Sequence, residues 1–282
     1  MGPEDHDAEL TAGQGEGAPS AQGPDAGADA QAARARGPVG AADLRPEALL
    51  FDVFGTCVDW RSGVSVVLGD ALAAKGAAQD PAALTDAWRN AYRPSMQRII
   101  EGGRGYVALD DLHRENLMAV LADHDLAGAF DADEVTELAR AWEKLPPWPD
   151  VHQGLARLKR LAPIAPCSNG SIALMVHLAR FADLPWDCVL GAEIARDFKP
   201  APAVYKAACA ALRLDPAQVM MVACHPDDLD AAKAVGLMTA YIPRPMEWGE
   251  AHTHDVMPLE VARDRFDLAA HDFEALAEML SG

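Results

Sequence analysis

The chain has 282 residues, half of them hydrophobic and 6% aromatic, enough to build the core of one large domain or two modest ones without disulfide staples. Its 24 Lys and Arg against 43 Asp and Glu leave a formal charge of −19, which repels phosphate backbones and anionic lipid and argues against nucleic-acid and membrane-surface roles. No apolar run approaches the roughly 20 residues that cross a bilayer, and five scattered cysteines without a CxxC pair read as reduced thiols of a cytoplasmic protein, neither a disulfide framework nor a zinc site.

Residues 1–44 are mostly Ala, Gly, Pro, Asp, Glu and Gln, with Leu10 and Val39 nearly the only aliphatics. So little apolar surface cannot offset the entropy of ordering, and a disordered tail is expected there. Order begins at Ala48-Leu49-Leu50-Phe51-Asp52-Val53-Phe54, an apolar run interrupted by one aspartate. Such a run suits a parallel strand covered on both faces. Gly55-Thr56 breaks it. Between about residues 62 and 142 no second strand pattern occurs; helical stretches follow at 84–92, 111–117 and 135–142, and Pro146-Pro147-Trp148-Pro149 closes the block as a stiff linker.

Strand and helix then alternate. The pattern predicts a helix over 151–161, a strand over 164–167 and a helix over 172–181 opened by Ser168-Asn169-Gly170-Ser171. A short strand near Val189, a helix over 203–212, a strand over 219–223, a helix ending at Gly236, a strand over 239–242, a segment at 266–269 and a last helix complete the chain. The expected fold class is α/β: a Rossmann-like, mostly parallel sheet core (residues 45–61 and 147–282) with an inserted helical domain (62–146).

In open α/β sheets the ligand lies outside the carboxyl ends of the strands. Four such ends offer Asp52, the pair Ser168 and Asn169, Lys199, and the cluster His225, Asp227 and Asp228. That convergence marks a candidate site. His252-Thr253-His254-Asp255, in a polar loop, is a poor metal candidate, and no Gly-x-Ser-x-Gly elbow exists to support a serine hydrolase.

Phe51-Asp52-Val53-Phe54-Gly55-Thr56, Ser168-Asn169-Gly170, Phe198-Lys199-Pro200 and the Asp228 segment, in this order, resemble the four motifs of the haloacid dehalogenase superfamily. The helical insertion is similar to that superfamily's cap domain. Over about residues 46–278 the finer pattern resembles the type II 2-haloacid dehalogenases. Val58-Asp59-Trp60-Arg61, Trp88-Arg89, Leu112-His113-Arg114-Glu115-Asn116 and Ala240-Tyr241-Ile242-Pro243-Arg244-Pro245 resemble the subset active on haloacetates, fluoroacetate included.

The superfamily is mostly phosphatases, so the reaction is argued from chemistry. A phosphatase of this kind needs an acidic residue two positions after the nucleophile, where this chain has Phe54, and a hard oxygen ligand for Mg²⁺, where it has Cys224. Displacing halide needs less: Asp52 attacks C2 of the substrate, halide leaves without a general acid, and a water activated by Asp228 hydrolyses the aspartyl ester. The resemblance implies that Lys199 neutralises and orients Asp52, that Thr56 bonds Asp52, and that Arg89 and Asn169 receive the halide. Ser168 and the amides opening its helix suit the substrate carboxylate. Tyr205 is expected to fix Lys199 or the water and, with His225, is grouped with the residues that bind substrate or halide. Type II enzymes commonly have serine and asparagine where Ala223 and His225 stand, and aromatics where Leu109 and Asp227 stand. No metal and no cofactor are expected; the partners are a short 2-halocarboxylate and water, with a homodimer left open. Two alternatives stay beside this reading: a phosphatase with an altered metal site, and a non-catalytic binder of carboxylates, against which the charged triad Asp52, Lys199 and Asp228 argues.

Overall fold

A computed structural model describes residues 44–282. The expected N-terminal tail lies outside the described residues except for Leu44, which is buried against the core. The sheet has six strands, β1 (Ala48–Phe51), β2 (Ile164–Ser168), β3 (Leu190–Gly191), β4 (Val219–Ala223), β5 (Met238–Tyr241) and β6 (Leu268–Ala269), in the order β3-β2-β1-β4-β5-β6. Every pairing is parallel, and β1 lies between β2 (Leu49 opposite Ile164) and β4 (Leu49 opposite Met220). Its unbroken apolar sequence follows from this place. Leu49 and Phe51 pack into the cluster of Val151, Leu155 and Phe273 on one face, while Ala48 and Leu50 join Val204, Tyr205 and Ala208 on the other.

From β1 the chain reaches β2 on one side and later β4 on the other, which opens a crevice at the carboxyl end of β1. Between β1 and β2 the chain first folds as helices α1 (Trp60–Lys75), α2 (Pro81–Ile100), α3 (Leu109–Asp123) and α4 (Ala132–Ala139), followed by a 3-10 turn at Arg140–Glu143. Their starts are encoded locally. Asp59 accepts from Ser62 N–H, Asp80 from Ala82 N–H ahead of Pro81, and Asp131 and Glu134 form a capping box. Trp60, Trp88 and Trp142 form the centre of this block; His113 stacks on Trp142 at 4.3 Å, and its burial pushes the imidazole well below its ordinary pKa.

The second half carries α5 (Val151–Leu158), α6 (Ile172–Phe181), α7 (Ala192–Ala195), α8 (Pro202–Leu212), α9 (Pro226–Val235), α10 (Leu259–Arg265) and α11 (Phe273–Ser281). The helix expected over 151–161 ends at Leu158, where a turn leads to Pro163. Strands β3 and β6 hold only two residues each, because each is an edge paired on one side. No helix among the described residues is long and apolar enough to cross a membrane.

Candidate active site

Asp52 follows the last residue of β1, and its backbone N–H still bonds Val222 O of β4, so the carboxylate is aimed into the crevice. The chain turns sharply beyond it. Gly55 has φ +88°, a left-handed conformation that favours glycine, and a Cβ there would meet the Glu247 carboxylate at 2.2 Å. Thr56, four residues on, donates from Oγ1 to Asp52 Oδ2 at 2.7 Å and accepts from Cys224 N–H at 3.0 Å. The turn is pinned from outside by Arg244, whose Nε donates to Thr56 O while its other two nitrogens hold Asp150.

Asp52 is the middle of a buried row of alternating charges. Lys199 Nζ lies 2.9 Å from Asp52 Oδ1 and 2.5 Å from Asp228 Oδ2; the second oxygen of Asp228 accepts from Tyr205 Oη at 2.5 Å. On the other flank His225 Nδ1 is 3.0 Å from Asp52 Oδ2, and its Nε2 is 3.0 and 3.1 Å from the two oxygens of Glu247. Glu247 also accepts from Trp60 Nε1 at 3.0 Å. Buried ions are tolerated only when paired in this way.

The titration behaviour follows. Burial alone would raise the pKa of Asp52, but Lys199 and His225 hold it far below the usual carboxylate range. Lys199 is raised: burial opposes its charge, and Asp228 and Asp52 outweigh burial. Asp228 is raised by burial, which the Lys199 charge does not fully offset. Burial disfavours the imidazolium of His225, yet Cys224, Glu247 and Asp52 together lift it well above an ordinary histidine. At neutral pH Asp52 is therefore an anion between two cations.

The row opens on a cavity of about 210 Å³ lined by Asp52, Lys199, His225, Asn169 and Asp228 from the sheet ends and by Arg89, Tyr92, Arg93, Met96 and Ile100 of α2. Arg89 lies over Tyr92 (4.3 Å to the ring centroid) and Trp60 (5.2 Å), and its Nε and Nη1 have no hydrogen-bond partner although buried. An unpaired guanidinium edge in an aromatic seat is a place for an anion. Arg93, by contrast, is paired with Asp227. Asn169 accepts from Lys199 N–H at 2.7 Å through Oδ1 and faces the cavity, so it ties the end of β2 to the loop that carries Lys199.

Several expectations are corrected by this geometry. Tyr205, grouped with the residues that fix Lys199, the water or substrate, bonds Asp228 instead and is fully buried outside the cavity lining. Asp228, expected to activate water, lines the cavity and accepts from Lys199 on one oxygen and from Tyr205 on the other. Ser168 is fully buried off the lining, with its Oγ accepting from Gly170 N–H; the cap of α6 is Ser171. The amide of Ile172 at the start of that helix donates to Glu193 at 2.6 Å, so the protein supplies its own anion where a substrate carboxylate was expected. Leu109 is fully buried away from the lining, and the apolar walls are Phe54, Tyr92, Met96 and Ile100. Sequence reasoning missed Glu247, which stands two residues past the Pro245 end of a quoted motif. An acidic residue between Met246 and Trp248 was the available signal.

Asp52, Cys224 and His225 bring one potential ligand atom each within 4.8 Å of one another. They do not fit a hard divalent cation. Both ring nitrogens of His225 are engaged by carboxylates, burial pushes the Cys224 thiol up to about 11, and the ammonium of Lys199 already neutralises Asp52. His252 and Asp255 pair with each other on the surface.

A profile of the haloacid dehalogenase-like hydrolases matches residues 46–236. The (S)-2-haloacid dehalogenase of Xanthobacter autotrophicus is 30% identical over 201 residues, covering 70% of this chain and 75% of that protein. Among solved structures, the defluorinating L-2-haloacid dehalogenase Rha0230 is 41% identical with a TM-score of 0.81, covering 87% of this chain and 100% of that one. The L-2-haloacid dehalogenase PA0810 is 40% identical with a TM-score of 0.78, covering 84% and 99%.

Proposed function

This chain belongs to the haloacid dehalogenase-like hydrolases, and from that premise we propose that it hydrolyses short 2-haloalkanoic acids, haloacetates first, to 2-hydroxy acids through an ester on Asp52. One observation carries the reading: an ionised, doubly paired Asp52 faces, across a cavity of about 210 Å³, a guanidinium with two unpaired nitrogens. The volume admits an acid of two or three carbons. Asp52 attacks C2 as the carbon–halogen bond breaks and the halide departs with the electron pair toward Arg89 and Asn169. Water then attacks the ester carbonyl, and the hydroxy acid and one proton are released. Similarity to dehalogenases, one of them described as defluorinating, supports both the reaction class and fluoroacetate as a substrate.

Phe54 lines the cavity where a phosphatase would present its acid, and a phenyl ring cannot protonate a leaving alcohol. Halide release from fluoroacetate, chloroacetate and 2-chloropropionate should therefore persist after exhaustive chelation, with no turnover of a generic phosphate monoester. Loss of halide release on chelation, restored by Mg²⁺, would refute the reading.

The role of Arg89 is separable. Fluoride concentrates its charge and leaves a strong bond, so it needs donors more than bromide does. A charge-assisted hydrogen bond is worth about 1.5–3 kcal/mol, and Arg89→Ala should slow fluoroacetate turnover by about ten- to a hundredfold while bromoacetate loses far less. Equal losses on both would mean that Arg89 binds substrate uniformly.

A further inference from the structure

The hydrolytic half of the reaction needs a base beside the Asp52 ester, and Asp228 is linked to Asp52 through Lys199, with Tyr205 on its other oxygen. The side chains that bond the Asp52 carboxylate are Lys199, Thr56 and His225. Lys199 is a cation committed to two carboxylates, and the Thr56 hydroxyl already accepts from Cys224 N–H. His225 is different. Its ring lies between two openings: it borders the cavity that holds Asp52, and also a second cleft of about 650 Å³ lined by Glu247, Arg244, Tyr241 and His252. Glu247 is almost wholly buried behind it, set by Trp60 Nε1 and by the close approach that Gly55 permits.

We propose that His225, positioned by Glu247, is the base that activates water for hydrolysis of the Asp52 ester. The inference rests on the dehalogenase reading above. In the free enzyme the imidazolium donates through Nδ1 to Asp52 and through Nε2 to Glu247. Alkylation removes the Asp52 charge, so the Nδ1 proton loses its acceptor and passes to solvent; it is the proton that the overall reaction must release. The Nε2 proton stays on the ring, donated to Glu247, which fixes the tautomer with Nδ1 free. Water attacks Asp52 Cγ while giving a proton to Nδ1. That proton moves to the substrate oxygen as its bond to Cγ breaks. Asp52 emerges as a carboxylic acid, and its proton returns to Nδ1, restoring the starting ion pair.

The charged and titratable groups around His225 are Asp52 at the end of β1, Cys224 beside it, Glu247 on the loop after β5, Asp227 paired with Arg93, and Arg89 of α2, which acts on Glu247. Removing the Glu247 charge leaves the imidazolium less favoured, so the pH limb of ester hydrolysis moves to lower pH. A glutamate that only packs would leave that limb in place.

The test is single-turnover chloroacetate hydrolysis by wild type, Glu247→Gln and His225→Gln, with free chloride and the intact protein mass followed together. In both variants a burst of about one chloride per protein should precede slow turnover, and the protein should accumulate the mass of one carboxymethyl group. Steady turnover should fall by about a hundredfold or more, the usual worth of a general base. In wild type, ester hydrolysis should rise with pH through one ionisation, which Glu247→Gln moves down and His225→Gln abolishes. Slow turnover with no burst and no adduct would place both residues in the attack by Asp52 and overturn the proposal. So would pH-independent ester hydrolysis in wild type, a measurement that needs no variant to fold. Wild type that releases no halide would instead sink the dehalogenase reading itself.

Discussion

Asp52→Asn should abolish halide release, with a fall of at least about 10⁴-fold, or about 5 kcal/mol of barrier. The amide keeps the size of the carboxylate and can still accept from Thr56, so the fold should survive; what is lost is the anion that Lys199 and His225 hold between them. A companion measurement separates nucleophile from base. In H₂¹⁸O under a single turnover, label should enter Asp52 while the first-formed hydroxy acid carries unlabelled oxygen. Label found directly in that product would mean that water attacks C2 and that Asp52 is only a base.

Lys199→Met should damage stability as well as rate. Lys199 is 8% exposed and is the cation between Asp52 and Asp228, each 7% exposed. Removing one partner from a buried ionic group costs about 3–5 kcal/mol, because charges stay behind unpaired. Turnover should drop by about 10²–10³-fold through the loss of preorganised charge. The pH dependence has a definite sign. With the ammonium gone, one of the two carboxylates is driven above its unfolded pKa and keeps a proton in the folded state. Such a group contributes stability that is fully present below the unfolded value and is lost as pH rises through the folded one. The melting-temperature deficit relative to wild type should therefore be small near about pH 5 and grow toward about pH 8, since free carboxylates titrate near about 4. A deficit independent of pH would show that the loss is one of packing alone.

The sheet was legible in the sequence because its central strands are unbroken apolar runs ending in polar residues. Val219–Ala223 and the Leu49–Phe51 segment have this form, and both lie where the pattern put them. Strands β3 and β6 were legible only as neighbourhoods, since two edge residues carry almost no periodicity. At the site, Asp52, Lys199, Asn169 and His225 were identifiable as strand-end polar groups, and they do meet at one cavity. What escaped was the partnering. Nothing in the local sequence at Tyr205 tells that it bonds Asp228, or at Glu247 that it lies against Gly55 and His225; these are contacts 23, 192 and 22 residues apart created by how helices and loops pack. Ser168 misled because a hydroxyl at a strand end reads the same whether it faces a ligand or caps its own backbone turn.

The alternating row also bears on how the chain can fold. Asp52 meets its two cations across 147 and 173 residues of sequence, and no nearer cation replaces them among its described contacts. An ionised carboxylate at the end of the most enclosed strand is uncompensated until Lys199 and His225 have arrived, and a lone buried charge costs several kcal/mol. β1 therefore cannot take its final place against β2 alone with Asp52 charged. Full pairing of Asp52 is expected only once the segment after β4 that carries His225 has docked beside β1.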